Sequence, residues 1–230
     1  MNHGTIFMAA AGSLLVTCAA TADAFQNLSM ELVNTGAEGN TYRLFANLAT
    51  GARIDAVYGN SQGDLSIGTA NGATFYQNAN GGPTSREINS NVFPLVPSME
   101  WDSYVSIGAY YQNGAPFGEN TLNSIGINWA SFEGGGDLAT NNGAWNVWSS
   151  DPQGNELNGV VFLGQFTLQG GNGDVSDLVG QVNLQGKDAD GNIWNEIGAT
   201  WMGSTDPAVP GIGALAPLAC IGLVRRRRRG

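Results

Sequence analysis

The densest run of hard oxygen donors is Asp188-Ala189-Asp190-Gly191-Asn192, with Asn195 and Glu196 just beyond it. Alternate carboxylates around a glycine, followed by a distal glutamate, form the donor pattern that Ca²⁺ selects. Asp188, Asp190, Asn192 and Glu196 are therefore candidate calcium ligands. The loop departs from an EF-hand in lacking the third Asx and in bringing its glutamate too early. The competing expectation is a hairpin turn, which Asp-Gly serves because both residues tolerate positive φ. A second candidate is aromatic. Trp145 and Trp148 fall in one short β-rich run with opposite parity, so one packs inward while the other faces out. An outward indole can stack on the apolar face of a sugar, although core filling is the commoner use of a large aromatic. Glu100/Asp102 and Glu133/Asp137 are nominal carboxylate pairs, the minimum that glycosidase chemistry requires. Acids are frequent enough here for such spacings to arise by chance, and no catalytic residue is assigned.

Several chemistries are excluded by what the central chain lacks. The single histidine, His3, and the two cysteines, Cys18 and Cys220, all lie in the terminal segments. A mature domain between them has no imidazole or thiol, which removes Ser-His-Asp triads, Cys-His pairs and zinc sites built on those ligands. It also forms no disulfide. Between residues 25 and 206 there are 4 basic residues (Arg43, Arg53, Arg86, Lys187) and 18 acidic ones, a net charge of −14. Such a polyanion repels nucleic acid and anionic lipid, so no nucleic-acid partner is expected.

The elements that must carry these residues read as β throughout. Asn-Gly recurs at 71–72, 80–81, 113–114, 142–143, 158–159 and 172–173, with Asp-Gly at 190–191. These are strong turn signals, and their spacing is too irregular for a repeat. Between them lie short β-rich runs at 28–33, 41–48, 54–58, 64–67, 73–76, 101–110, 121–129, 145–148, 160–168, 178–184 and 193–201. The pattern predicts an all-β single domain, a β-sandwich or jelly-roll, over residues 25–204. In the run 41–48, Tyr42, Leu44, Ala46 and Leu48 share an apolar face, and Arg43 and Asn47 are expected on a wet one. Val160-Val161-Phe162-Leu163 does not alternate, which predicts a central strand covered on both sides. Thr84-Ser85-Arg86-Glu87 has capping-box spacing, enough for a turn or two. Residues 77–97 and 132–142 read as the longest loops.

The two ends have a different composition. Residues 6–20 are apolar or small, and Ala22-Asp23-Ala24 supplies small residues for signal peptidase, predicting a signal peptide over 1–24 with cleavage before Phe25. At the other end, a linker over 205–210 leads to an apolar segment over 211–230. It closes with Arg225, Arg226, Arg227, Arg228 and Arg229. The apolar stretch 208–224 spans 17 residues, or roughly 25 Å as helix against a hydrocarbon core of ~30 Å. That length suits a transient anchor whose arginines stay on the cytoplasmic side.

Val209, Pro210 and Gly211, the apolar run and the arginine cluster together resemble the PEP-CTERM sorting signals of bacteria with exosortase systems, in a VP-PG variant. The resemblance implies an exosortase-like processing enzyme, transient membrane association and delivery to the cell envelope, surface or extracellular matrix. Within the central chain, Trp101-Asp102-Ser103-Tyr104-Val105-Ser106-Ile107-Gly108, Phe132-Glu133, Gly143-Ala144-Trp145, Asp151-Pro152-Gln153-Gly154 and Leu163-Gly164-Gln165-Phe166-Thr167 resemble an uncharacterised domain of secreted bacterial surface proteins. That resemblance brings no activity with it. The expectation is an exported, non-enzymatic domain with a structural or adhesive role and no obligatory cofactor. The alternatives are a calcium-assisted carbohydrate-binding module, with polysaccharide as partner, and a glycoside hydrolase-like enzyme.

Overall fold

The computed structural model of the chain describes residues 23–201. Residues 1–22 of the expected signal peptide, the linker, and the sorting residues Val209, Pro210, Gly211 and Arg225 to Arg229 lie outside them. The described chain forms β1 (Phe25–Gly36), β2 (Gly39–Leu48), β3 (Arg53–Gly59), β4 (Leu65–Thr69), β5 (Thr74–Phe75) and β6 (Tyr104–Val105). β7 (Asn123–Ile125), the one-turn helix α1 (Ala130–Glu133), β8 (Leu138–Thr140) and β9 (Gly143–Asn146) follow. The chain continues through β10 (Val160–Gln169), β11 (Leu178–Lys187) and β12 (Ile193–Thr200). Among the described residues no helix is long and apolar enough to cross a membrane.

Two antiparallel sheets make a β-sandwich, as the turn spacing predicts. The first has five strands: β1 pairs β2, β2 pairs β10, and the far side of β10 takes β5 and β6. The second has seven, with β7, β9, β3 and β11 in succession and β12 on the outer edge of β11. Gln181 pairs with Ser66 of β4 and with Thr200 of β12, so those two strands flank β11 on opposite sides. β8 then extends β4.

Alternation decides which side chains enter the core between the sheets. Tyr42, Leu44, Ala46 and Leu48 of β2 are all buried. They meet Ile54 and Val57 of β3, Leu65 and Ile67 of β4, and Val182 and Leu184 of β11. β10 behaves as its unbroken apolar run predicts. It is buried from residue 161 to 168 and paired on both edges. Val161 and Leu163 enter the main core, while Phe162 packs on the other side with Ile88 and Tyr104. The chain enters beside β12, where Phe25 stacks on Trp194 with centroids 6.2 Å apart. At the opposite end of that strand Trp201 is buried and its Nε1 donates to Leu178 O at 3.0 Å.

The outer face of the first sheet corrects one expectation. Arg43 is not on a wet face, because the long connection 76–122 folds back over it. Gln165 Nε2 donates to Glu100 O at 2.8 Å and Asp102 O at 3.0 Å, and Ser103 Oγ accepts from Thr167 N at 2.9 Å. These bonds pin the connection onto β10. Arg43 lies 5.0 Å from the Tyr110 ring centroid and donates to Gln165 Oε1. Phe45, Phe93, Tyr110 and Tyr111 complete a small second core. The run 101–110 yields only the two-residue β6. Gly108, at φ +71°, turns the chain where a Cβ would fall 1.9 Å from Gln153 O. The predicted loop 132–142 instead contains β8.

Asn-Gly turns serve two different purposes. Asn158 (φ 58°) and Gly159 (φ 83°) close a tight turn in which Leu157 and Val160 exchange both backbone hydrogen bonds. Asn71 (φ 56°) and Gly72 (φ 80°) have the same left-handed geometry, yet they carry the chain from β4 in one sheet to β5 in the other. The Thr84 to Glu87 box forms one turn, with the Glu87 carboxylate accepting from Thr84 N at 3.2 Å and from the Thr84 hydroxyl.

Candidate functional site

The acidic loop forms the β11–β12 turn. Asp188 carboxylate oxygens accept from Asp190 N at 2.9 Å, Asn192 N at 2.8 Å and Asn192 Nδ2 at 2.9 Å. The Asn192 side chain and these backbone donors hold the Asp188 carboxyl below its usual value. Glu196 does not join the turn. It sits on β12 opposite Leu184, three residues past Ile193 and so about 10 Å along the strand. Burial and the nearby charge of Asp23 raise its carboxyl instead. The structure thus gathers Asp188, Asp190 and Asn192 in one turn and leaves Glu196 apart. Among the described residues no group of three or more His, Cys, Asp or Glu is arranged to hold a metal.

The two tryptophans divide as their parity requires. Trp145 is 1% exposed, and its Nε1 donates to Ser106 O at 3.1 Å. Trp148 is 75% exposed. Its backbone is fixed even though its ring is open: Arg53 Nη2 donates to Trp148 O at 2.9 Å, and Asp151 N donates to the same oxygen at 2.8 Å. Arg53 is itself held by Asp55 at 2.6 Å and by Asn155 Oδ1 at 2.9 Å.

The nominal carboxylate pairs are regrouped. Asp102 is fully buried, and its carboxylate accepts from Asn78 N at 2.7 Å, Ser103 N at 3.0 Å and Gly82 N at 3.2 Å. Burial pushes its carboxyl up to about 7, with a smaller push from the charge of Glu133, against the pull of the three N–H donors. Asp137 accepts from Thr69 N at 3.1 Å. Both aspartates therefore serve as acceptors for backbone N–H groups.

Two clefts open beside the 76–122 connection. One of about 150 Å³ is walled by Phe45, Tyr110, Phe117 and Phe162, with Asn155 and Asn158 at its edge. The other, about 160 Å³, is polar and lined by Thr84, Arg86, Glu87, Asn123, Ser124 and Trp129. Arg86 Nη1 donates to Leu122 O at 3.1 Å there.

A further uncovered feature is the outer face of the second sheet, which spacing alone did not single out. Trp145, Val57 and Leu184 point inward and are buried. By alternation and register, the residues between them face out. Asn123, Asn146, Ala56, Gln185 and Asn195 stand side by side across β7, β9, β3, β11 and β12. Ile125, Ala144 and Tyr58 form a flanking row. Lys187 and Ile193 lie on the other flank, at the level of Arg53. Asn123, Ile125, Gln185, Ile193 and Asn195 are exposed. The turn between β3 and β4 covers this face at Asn183, which is buried beside Tyr58 and donates to Gly63 O at 2.6 Å, and the exposed residues lie clear of it.

These features define an antiparallel β-sandwich with one outer face covered and the other open. Comparison with known protein families, curated proteins and solved structures found no match.

Proposed function

We propose that the chain is an exported component of a bacterial cell surface or extracellular matrix, with a structural or adhesive role and no catalytic one. The apolar segment before Phe25 and the apolar, arginine-ended tail support export and sorting, through signal peptidase and an exosortase-like enzyme. The net charge of −14 over residues 25–206 supports life in an aqueous, ion-rich exterior, where screening relieves self-repulsion. The observation that carries a contact role is the open row on the outer face of the second sheet, with the exposed Trp148 just past the end of β9. A flat array of amides and isolated apolar groups suits lateral contact better than enclosure of a reacting centre.

The test is retention in the organism that makes the protein. Gln185→Glu with Asn195→Asp places two charges on the exposed face without touching the core. Cell fractionation is expected to show the wild-type chain on the surface and the double variant shifted to the medium. Equal retention of the two would remove the contact role.

A further inference from the structure

Resting on that contact reading, we infer that the open face of the second sheet binds an uncharged polysaccharide lying across β7, β9, β3, β11 and β12. The chemistry of the face selects this partner. Five strands give four steps of about 4.8 Å, so the row from Asn123 to Asn195 is roughly 19 Å wide. That is long enough for a chain of several linked rings. Asn123, Asn146, Gln185 and Asn195 each present a carbonyl acceptor and an NH₂ donor. A hydroxyl group both donates and accepts, so polyhydroxylated rings can satisfy these amides in many relative positions.

The charge pattern points the same way. In a domain of net charge −14, the Asp55 carboxylate, on a strand that carries the row, is ion-paired with Arg53, while Asp188 and Asp190 lie in the turn past Lys187 and Ile193. Lys187 stands on the flank beside Ile193. A polyanion would approach against the field of the whole domain, whereas an uncharged chain meets no such barrier. A protein partner with an apolar patch would bury the row of amides without partners, at a penalty for each. The apolar groups stand apart: Ile125 (69% exposed) and Ile193 (69%) flank the row, and Trp148 (75%) lies two residues past the end of β9, with the parity of Ala144 and Asn146 and its carbonyl held by Arg53 of β3. They are placed to meet the C–H faces of single rings. Trp148 sits on backbone already held by Arg53 and Asp151, so little ordering is lost when its ring is covered.

The full chain is mixed with microcrystalline cellulose, chitin or starch granules as uncharged polymers, and with alginate beads as the charged one. Depletion from solution is measured at low and high salt. Binding to at least one uncharged polymer is expected, insensitive to salt. Trp148→Ala should weaken it about tenfold or more, and Asn195→Ala should weaken it by less. Leu95→Ala, at an 84% exposed position on the connection covering the other sheet, should leave it unchanged. Thermal midpoints of the variants should match the wild type, since all three side chains are exposed. Failure to bind any of the uncharged polymers, preference for alginate, or full binding by Trp148→Ala would overturn the inference. If Gln185→Glu/Asn195→Asp still releases the protein from cells while the wild type ignores every uncharged polymer, this inference falls and the contact role stands. If the polymers bind but cell retention is unchanged, the contact role falls.

Discussion

Replacing Asp102 with asparagine should change how the stability of the fold responds to pH. The carboxyl has a folded value of about 7 against an unfolded reference of 3.8. Below the reference value it is protonated in both states and costs nothing extra. As pH rises, the unfolded chain releases the proton first, while the folded chain retains it until about 7. Stability attributable to this group is therefore fully present below 3.8 and lost as pH rises through 7. The rise from 3.8 to about 7 corresponds to about 4 kcal/mol. Asp102→Asn removes the titration and keeps one oxygen to accept from Asn78 N, Gly82 N or Ser103 N. Urea unfolding followed by tryptophan fluorescence, repeated from about pH 4 to about pH 8, gives the difference between variant and wild type. That difference should move in favour of the variant by several kcal/mol across the range. Parallel curves would refute the reasoning, because they would mean that the three N–H donors fully offset the desolvation of the charge.

Four further outcomes can be checked by the same unfolding measurement. Trp145→Ala should cost about 3–5 kcal/mol, since it empties a buried indole site and orphans Ser106 O, whereas Trp148→Ala should stay within about 0.5 kcal/mol. Gly81→Ala should destabilise by about 1–3 kcal/mol, because its Cβ would approach Asp102 Oδ2 to 1.7 Å. Gln165→Ala should cost about 2 kcal/mol by freeing the buried carbonyls of Glu100 and Asp102 from their donor. Millimolar Ca²⁺ should leave the thermal midpoint unchanged, because Asp188 already accepts from the turn and Glu196 stands about 10 Å along the strand. A rise would show that the turn rearranges around the ion.

Much of the fold was legible because period-two alternation records which sheet face is buried. β2 declared its inward residues, and β10 declared that it had no wet face. Opposite parity separated Trp145 from Trp148 before any contact was known. Long-range covering was not legible. Arg43 looks solvent-facing within its own strand, and only the docking of residues 76–122 through Gln165 and Thr167 places it beneath aromatic rings. Local sequence is equally silent on partners that meet across strands. Asn123, Asn146, Gln185 and Asn195 are scattered over more than seventy positions and become one row only through register. The acidic loop is the converse case. Asp188 to Glu196 is compact along the chain, but a strand carries its last carboxylate away from the first.

The two ends of the described strands lie far apart. Phe25 lies against Trp194 at one pole of the sandwich, and the chain leaves β12 at Trp201, beside Leu178, at the other. The seven residue steps between Trp194 and Trp201 put these poles roughly 23 Å apart along the strand. The strands of the second sheet run along the line that joins these poles. The amide-bearing face is thus a wall and not a floor. A contact made on that face is therefore made beside the line that joins the two poles, and leaves both poles free of it.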